Sequence, residues 1–334
     1  MKKIIEQIID EELSSFGKFT LTAKYRTLVQ RLKKIMNISM KYIIESLKNS
    51  EFEVLGTEVA FGENVNTENF TSEIDNKNSM LNENQNNNQV NELANKRMTV
   101  EAYPPIELTM DNGKKISLIG KIDRIDIAKL PDGKYMRIID YKSSSQDFDL
   151  NKVVAGLQIQ LITYVDAVCH NENVMPAGAL YYALIEPELR KSVRDFTKEE
   201  IEEQIRQKYK MDGIVLADVN VIKAMDTKLE TGASDVIPVT LTADSKINLS
   251  KSKTVTREEF ENLQKYAVNI IKKISGEILS GNIELRPSYN SKTKSTPCQY
   301  CEYKSICQFN PKFKNNNYRF VAHKKQQEVL DEIN

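Results

Sequence analysis

The most chemically informative residues of this 334-residue chain are two acids and a lysine. Asp140 and Lys142 stand two residues apart in IIDYK, so on a strand their side chains share a face. Asp123 stands in the preceding segment, GKIDRID, and two hairpin-linked strands can bring it beside Asp140. Two carboxylates with side-chain roots about 4.5–5.5 Å apart repel unless a cation sits between them. Hard oxygen ligands of this kind suit Mg²⁺ or Mn²⁺. A lysine beside such a site serves phosphate chemistry: it holds the phosphate, orients an attacking water and stabilises developing negative charge. A lone D-Y-K is more often a solvated strand face, and three features lift this one above that reading. Ile138 and Ile139 lead straight into Asp140, so the acid emerges from a buried strand. Gly120 lies three residues before Asp123, where a backbone can approach a ligand closely. A helical pattern follows, GLQIQLITYVDAV, with Gln160 and Tyr164 four residues apart on one face.

Cysteines form the second cluster. Cys298, Cys301 and Cys307 make C-x₂-C-x₅-C in TPCQYCEYKSICQF, and two-residue spacing lets both sulfurs of a turn reach one metal. The alternative is three unrelated buried thiols. Tetrahedral zinc or a 4Fe-4S cluster needs a fourth ligand. Cys169, at the end of a helical stretch, reads as a core thiol, and His323, sixteen residues after Cys307, is the candidate that would complete a zinc site.

The elements that must position these groups follow from periodicity. Residues 1–49 read as two helices broken near Phe16-Gly17-Lys18, with Ile4, Ile5, Ile8 and Ile9 at helical spacing in the first. Residues 52–61 read as a strand entering the core. Residues 75–95 hold nine asparagines and form a low-complexity insertion. Residues 99–145 read as a β-meander, with turns at Asp111-Asn112-Gly113 and Pro131-Asp132-Gly133. Residues 150–170 return to helical spacing, and 177–186 read as a buried strand. Residues 197–210 and 256–280 read as helices whose capping boxes begin at Thr197 and Thr256, with Glu200 and Glu259 three residues on. The segment 211–254 is mixed. The last forty or so residues suggest an irregular tail held by something other than a core. As domains, the reading is 1–50 for the N-terminal helices, 51–190 for a catalytic core, 191–290 for a helical and mixed extension, and 291–334 for a Cys-rich basic tail.

Composition narrows the class. Forty-seven Lys and Arg balance 47 Asp and Glu, and 40% of residues are hydrophobic, which is globular composition rather than disorder. A zero total gives no global attraction to nucleic acid, but it leaves room for a local basic channel. Four cysteines are too few for a disulfide-stapled scaffold. The first apolar run is broken at once by Glu6, Gln7 and Asp10, so no signal peptide is expected. No run of about 18 apolar residues occurs, and a cytoplasmic location without a membrane span is expected. No G-x-x-x-x-G-K-[ST] occurs, so ATP binding by a P-loop is not expected. The C-terminal stretch interleaves Lys292, Lys294, Lys304, Lys312, Lys314, Arg319, Lys324 and Lys325 with Tyr289, Tyr300, Tyr303, Phe309, Phe313, Tyr318 and Phe320. Cations for phosphates and ring faces for bases suit single-stranded DNA, and a solvated tail is the equal alternative.

G-x-x-D-R-x-D at 120–126, D-Y-K at 140–142 and Q-x-x-x-Y at 160–164 occur in that order. Together they resemble the PD-(D/E)xK nuclease core of the RecB nuclease group. The resemblance implies a restriction-endonuclease-like α/β core: a mixed sheet of four or five strands flanked by helices, here closed by a cysteine-rich tail. It implies Asp123 and Asp140 as metal ligands, Tyr141 lending its backbone carbonyl, and Lys142 as the catalytic lysine. Gln160 and Tyr164 match the helix motif that sits against the active site and DNA in that group. Glu58, in GTEVAF, is the candidate for the earlier acid found in some members.

The C-x₂-C-x₅-C ending is similar to that of the iron–sulfur members of the group, AddB-type subunits of bacterial helicase–nucleases among them. In those proteins a fourth cysteine upstream of the core completes a 4Fe-4S cluster that staples the two ends of the domain. Residues 1–168 hold no cysteine, so one ligand is missing from this chain. The similarity extends through 211–254 into the tail, and it implies the nuclease end of a larger protein. The implied activity is metal-dependent, exonucleolytic hydrolysis of single-stranded DNA, beside an AddA-type helicase–nuclease partner in double-strand-break repair and recombination. Two alternatives stand beside it. One is a DNA-binding scaffold with an idle nuclease. The other is a stand-alone iron–sulfur nuclease resembling the CRISPR-associated RecB-like exonucleases.

Overall fold

The computed structural model describes residues 1–15, 22–62, 102–110, 112–187 and 196–333. The asparagine-rich segment and the expected helix break at Phe16-Gly17-Lys18 lie outside the described residues. The chain begins with helices α1 (Lys2–Ser15) and α2 (Ala23–Lys48). Strands β1 (Glu53–Phe61), β2 (Ala102–Tyr103), β3 (Ile106–Thr109), β4 (Lys115–Leu118), β5 (Gly120–Leu130) and β6 (Gly133–Lys142) follow. Helices α3 (Leu150–Val154) and α4 (Gln160–Glu172) lead into β7 (Met175–Ala183). Then come α5 (Lys198–Lys208), β8 (Asp212–Leu216), α6 (Val219–Met225), the short strands β9 (Gly232–Ala233), β10 (Thr240–Leu241) and β11 (Thr254–Val255), and the long helix α7 (Arg257–Leu279). The tail holds β12 (Ser288–Asn290), α8 (Lys304–Cys307), β13 (Arg319–Val321) and α9 (Gln326–Ile333).

This is an α/β fold with a central mixed sheet. Among the described residues the sheet has seven strands, more than the four or five expected, because β8 and β11, in and at the end of the mixed segment, join it. The chain forms two compact units, each assembled from three stretches: residues 1–53, 126–148 and 175–257 in the first, and 54–125, 149–174 and 258–334 in the second. In the first unit the strand order is β11-β8-β7-β6 and then the second half of β5. In the second unit the first half of β5 neighbours β1, and β1 neighbours β2.

In the first unit, β6 and β7 run parallel and β7 and β8 antiparallel. The turn into β6 uses Gly133 at φ +152°. The core here gathers Phe52, Met136, Ile138, Leu180, Ile214, Val221 and Ile222. Gly213 lies so close to β7 that an added Cβ would sit 2.1 Å from the Ala179 carbonyl oxygen, so the β7–β8 approach requires glycine there. Helix α1 lies on α2 through Ile5, Ile9 and Leu13, at one face of the helical repeat, with Lys33 to Asp10 at 2.5 Å beside them. The capping box expected at Thr197 is present: its hydroxyl accepts from Glu200 N at 3.2 Å, and the Glu200 carboxylate accepts from Thr197 N at 2.8 Å.

In the second unit, Ile122, Ile125, Leu161, Ile162, Val165, Phe260 and Leu263 form the core. Two expectations change. The first part of the expected meander holds two strands, β2 and β3, with Pro104-Pro105 between them offering no N–H to a ladder. The helical stretch expected through 150–170 also divides. Gly156, at φ +73°, ends the first part, and α4 starts only at Gln160. The tail is less irregular than expected. Tyr289 packs on Tyr318 at 5.0 Å and Phe309 on Tyr318 at 5.0 Å between ring centroids, while β12 and β13 pair in parallel. Val329 and Leu330 of α9 are buried, and Asn151 of α3 exchanges two hydrogen bonds with the Lys324 backbone at 3.0 and 2.9 Å.

One ion pair stands out in the first unit. Arg137 Nε donates to Asp126 Oδ2 at 2.9 Å with both side chains fully buried, and the guanidinium carbon lies 4.9 Å from the Phe52 ring centroid. Removing one partner of a buried pair strands the other charge, whereas a matched apolar pair avoids that cost. Asp126→Ala is therefore expected to lower unfolding free energy by about 3–5 kcal/mol. The double change Asp126→Leu with Arg137→Met is expected to recover most of it in urea unfolding curves.

Candidate active site

Strand parity sorts the chemistry of β6. Asp140 and Lys142 project from one face, and Arg137 and Tyr141 from the other. Asp140 is 2% exposed, with buried Ile138 and Ile139 before it, as the apolar lead-in predicts. Lys142 Nζ lies 2.5 Å from Asp140 Oδ2 and 5.5 Å from the Tyr181 ring centroid. The register supports this: Asp140 is paired with Tyr181 and Lys142 with Ala183. A buried carboxylate requires a counter-charge, and the i+2 lysine supplies one while remaining partly open to solvent. Tyr141 packs edge-on against Tyr182 at 5.8 Å.

In the second unit, Asp123 lies on β5 between buried Ile122 and Arg124, and is itself half-buried. Gln160 opens α4, and its side-chain amide donates to the Tyr164 hydroxyl at 2.7 Å, so the four-residue spacing does bring the pair together. Tyr164 in turn meets the Phe61 ring edge at 5.8 Å. Glu58 occupies a bulge-like position in β1 at φ +55°, and its exposed carboxylate lies 2.6 Å from Lys121 Nζ. Gly120 has a packing role: an added Cβ would meet the Phe61 ring at 2.7 Å, so an aromatic ring, not a ligand, takes the space.

Among the described residues, no three His, Cys, Asp or Glu side chains gather closely enough to hold a metal ion as a set. Mg²⁺ does not require such a set, since it keeps several waters and is commonly held by one or two carboxylates. Asp140 and Asp123 are hard oxygen donors of the right kind.

Cys298, Cys301 and Cys307 line one cavity of about 170 Å³ in the second unit, with Phe309 and Tyr318 of the aromatic cluster as further walls. Thiols lining one space are donors of the type that zinc or an iron–sulfur cluster takes, and either needs a fourth ligand. His323 is not part of this wall, and its Nε2 accepts from Lys292 N at 3.2 Å. Cys169 is half-buried at the end of α4, away from that cavity. Burial, reinforced by nearby Asp166, pushes its pKa up to about 12.

The Asp126–Arg137 pair was not anticipated from sequence. A parity signal was available: Asp123 and Asp126 stand three apart on one strand, so they face opposite ways and only one can serve a common site.

The chain belongs to the PD-(D/E)XK nuclease superfamily, whose pattern matches residues 1–308. It is similar to the B subunits of bacterial ATP-dependent helicase/deoxyribonucleases. That of Clostridium kluyveri is 37% identical over 316 residues, covering 93% of this chain and 24% of the relative. That of Clostridium novyi is 35% identical over 338 residues (99% and 26%), and that of Thermoanaerobacter sp. is 33% identical over 334 (98% and 26%). The chain spans about a quarter of the length of these relatives. Among the described residues, no helix is long and apolar enough to cross a membrane.

Thiol titration separates the cysteine classes. In the native, chelator-treated chain, Cys298, Cys301 and Cys307 are expected to react rapidly with a disulfide reagent, and Cys169 only on unfolding, because a thiol with a pKa near 12 carries almost no thiolate at neutral pH.

Proposed function

We propose that the chain hydrolyses DNA phosphodiesters with a divalent cation held by Asp123, Asp140 and the Tyr141 carbonyl. The observation that carries this reading is the Lys142 ammonium seated 2.5 Å from the buried Asp140 carboxylate on the D-Y-K strand of a superfamily nuclease. Counting the β5–β6 hairpin outward from Pro131-Asp132 matches Asp126 with Arg137 and, three residues further, Asp123 with Asp140. That count supports the two acids acting as a pair. When bound, Mg²⁺ polarises the phosphoryl oxygen and makes a coordinated water more acidic.

The chain's own groups do the rest. The Lys142 ammonium lies against the Asp140 carboxylate. The ammonium donates to the phosphate and stabilises the charge that builds there as water attacks phosphorus. The new P–O bond forms as the bond to the leaving sugar oxygen breaks, and the water's proton passes to that oxygen. Gln160, held by Tyr164, positions the strand. Exposed Tyr300 and Tyr303, with Lys304 at the start of α8, offer ring faces and positive charge to an unpaired strand, which supports a single-stranded DNA substrate for the exonucleolytic activity proposed here.

By similarity to these helicase/deoxyribonuclease relatives, the chain works beside a helicase-bearing partner in double-strand-break repair and recombination. Cys298, Cys301 and Cys307 supply three ligands to a 4Fe-4S cluster whose fourth ligand comes from outside this chain.

Lys142→Ala is expected to lower Mg²⁺-dependent degradation of single-stranded DNA by about 10²–10³-fold with unchanged melting. Equal degradation by variant and wild type would assign the chain to scaffolding instead. Asp123→Asn and Asp140→Asn are each expected to abolish Mg²⁺-dependent degradation. Anaerobic purification is expected to give iron and visible absorbance that Cys301→Ser removes, and stoichiometric zinc without iron would reverse that assignment.

A further inference from the structure

A second cavity lies in the first unit, on the sheet face opposite Asp140 and Lys142. Tyr182 projects to that face, because its register partner is Tyr141 while Asp140 pairs with Tyr181. Tyr182 is one wall of a cavity of about 140 Å³. The floor is built from Tyr42, Tyr209, Met211 and Leu229. Its rings are stacked on one another, Tyr42 on Tyr209 at 5.0 Å and Tyr182 on Tyr209 at 6.1 Å. Two of the three hydroxyls are used: Tyr182 donates to Ser39 O at 3.1 Å and Tyr209 to Ile185 O at 2.7 Å. Tyr42 is 8% exposed, and its hydroxyl has no hydrogen-bond partner among the described residues. Burial raises its pKa, so it remains a neutral donor and acceptor.

The rim is polar and nearly balanced. Arg206 bridges Glu45 at 3.2 Å and Asp235 at 3.7 Å, and Lys228 and the buried Asp226 complete it. Two cations against three carboxylates leave one net negative charge, which disfavours a phosphate or another anion as the buried guest. A guest carrying both donors and acceptors meets partners all round. Size limits it further: an apolar cavity of about 150 Å³ holds a benzene ring. One six-membered ring fits, and a bicyclic one does not fit whole.

We propose that this cavity binds a pyrimidine-type nucleobase, with the ring on the tyrosine floor, the Tyr42 hydroxyl on its polar edge and any phosphate left outside the rim. The choice of a nucleobase among polar six-membered rings rests on the nuclease reading.

Saturation-transfer NMR on the whole chain in EDTA tests this without any cleavage. Thymidine and deoxycytidine are expected to show saturated base protons, and deoxyadenosine much less. Thymidine monophosphate is expected to bind no tighter than thymidine. Tyr42→Phe is expected to weaken thymidine about 2–10-fold. Ala233→Trp, at the exposed rim, is expected to abolish the signal with melting unchanged. A thymidine oligomer that displaces the nucleoside places the base in a strand, and one that does not places it in the free nucleoside. The proposal is overturned by an absent signal, by an undiminished signal in Ala233→Trp, by binding that requires the phosphate, or by N-acetyl-arginine amide outcompeting thymidine. The last result would make the cavity a seat for a basic side chain. Thymidine binding alongside unimpaired cleavage by Lys142→Ala would defeat the catalytic assignment alone.

Discussion

Everything the first unit offers to chemistry depends on the register of β6, and the Asp126–Arg137 pair is what holds it. The side-chain period of a strand is two, so a slip of one residue would turn Asp140 and Lys142 to the opposite face and bring Tyr141 round in their place. Apolar neighbours tolerate such a slip poorly, but they tolerate it. A fully buried carboxylate and guanidinium do not, because in any other register each charge would be stranded in the core. Breaking the pair would strand one charge in the core, and the pair lies on the face opposite Asp140 and Lys142.

The same hairpin separates two tasks by parity. On β6, the Arg137 face is closed by Phe52 and the core, while the Asp140 face carries an acid, an ammonium and the Tyr181 ring. Asp140 sits at the C-terminal end of its strand, where parallel neighbours β6 and β7 both stop and the backbone gives way to loops. A carboxylate buried that deeply remains ionised only if cations are close. The lysine two residues on is one, and a divalent ion is the kind of second cation that hard oxygen donors invite.

Much of this is legible in the order of residues alone. Pro131-Asp132-Gly133 identifies the hairpin, D-Y-K parity identifies the face that Asp140 and Lys142 share, and Thr197 with Glu200 marks the start of α5. The four-residue interval from Gln160 to Tyr164 predicts a contact that is present. Other features are hidden for physical reasons. Periodicity reports which residues avoid water, but it does not distinguish a buried ion pair from a solvated one, so Asp126 reads as a motif letter. Helical spacing across 150–170 survives the break at Gly156, because the apolar stripe resumes in phase after it. Glu58 turns a surface acid on a positive backbone φ that no residue-type pattern encodes. The tail looks coreless because its ring contacts join half-exposed residues scattered between Tyr289 and Phe320.

The two units are interleaved, three stretches each, with β5 passing through both. Neither can be excised by cutting the chain at a single point, or even at two. In genetic terms residues 54–257 form one linkage block: a recombination breakpoint inside it leaves neither product with a whole unit. Such a region can be acquired or lost only entire. Its two halves are therefore bound to share one history of descent.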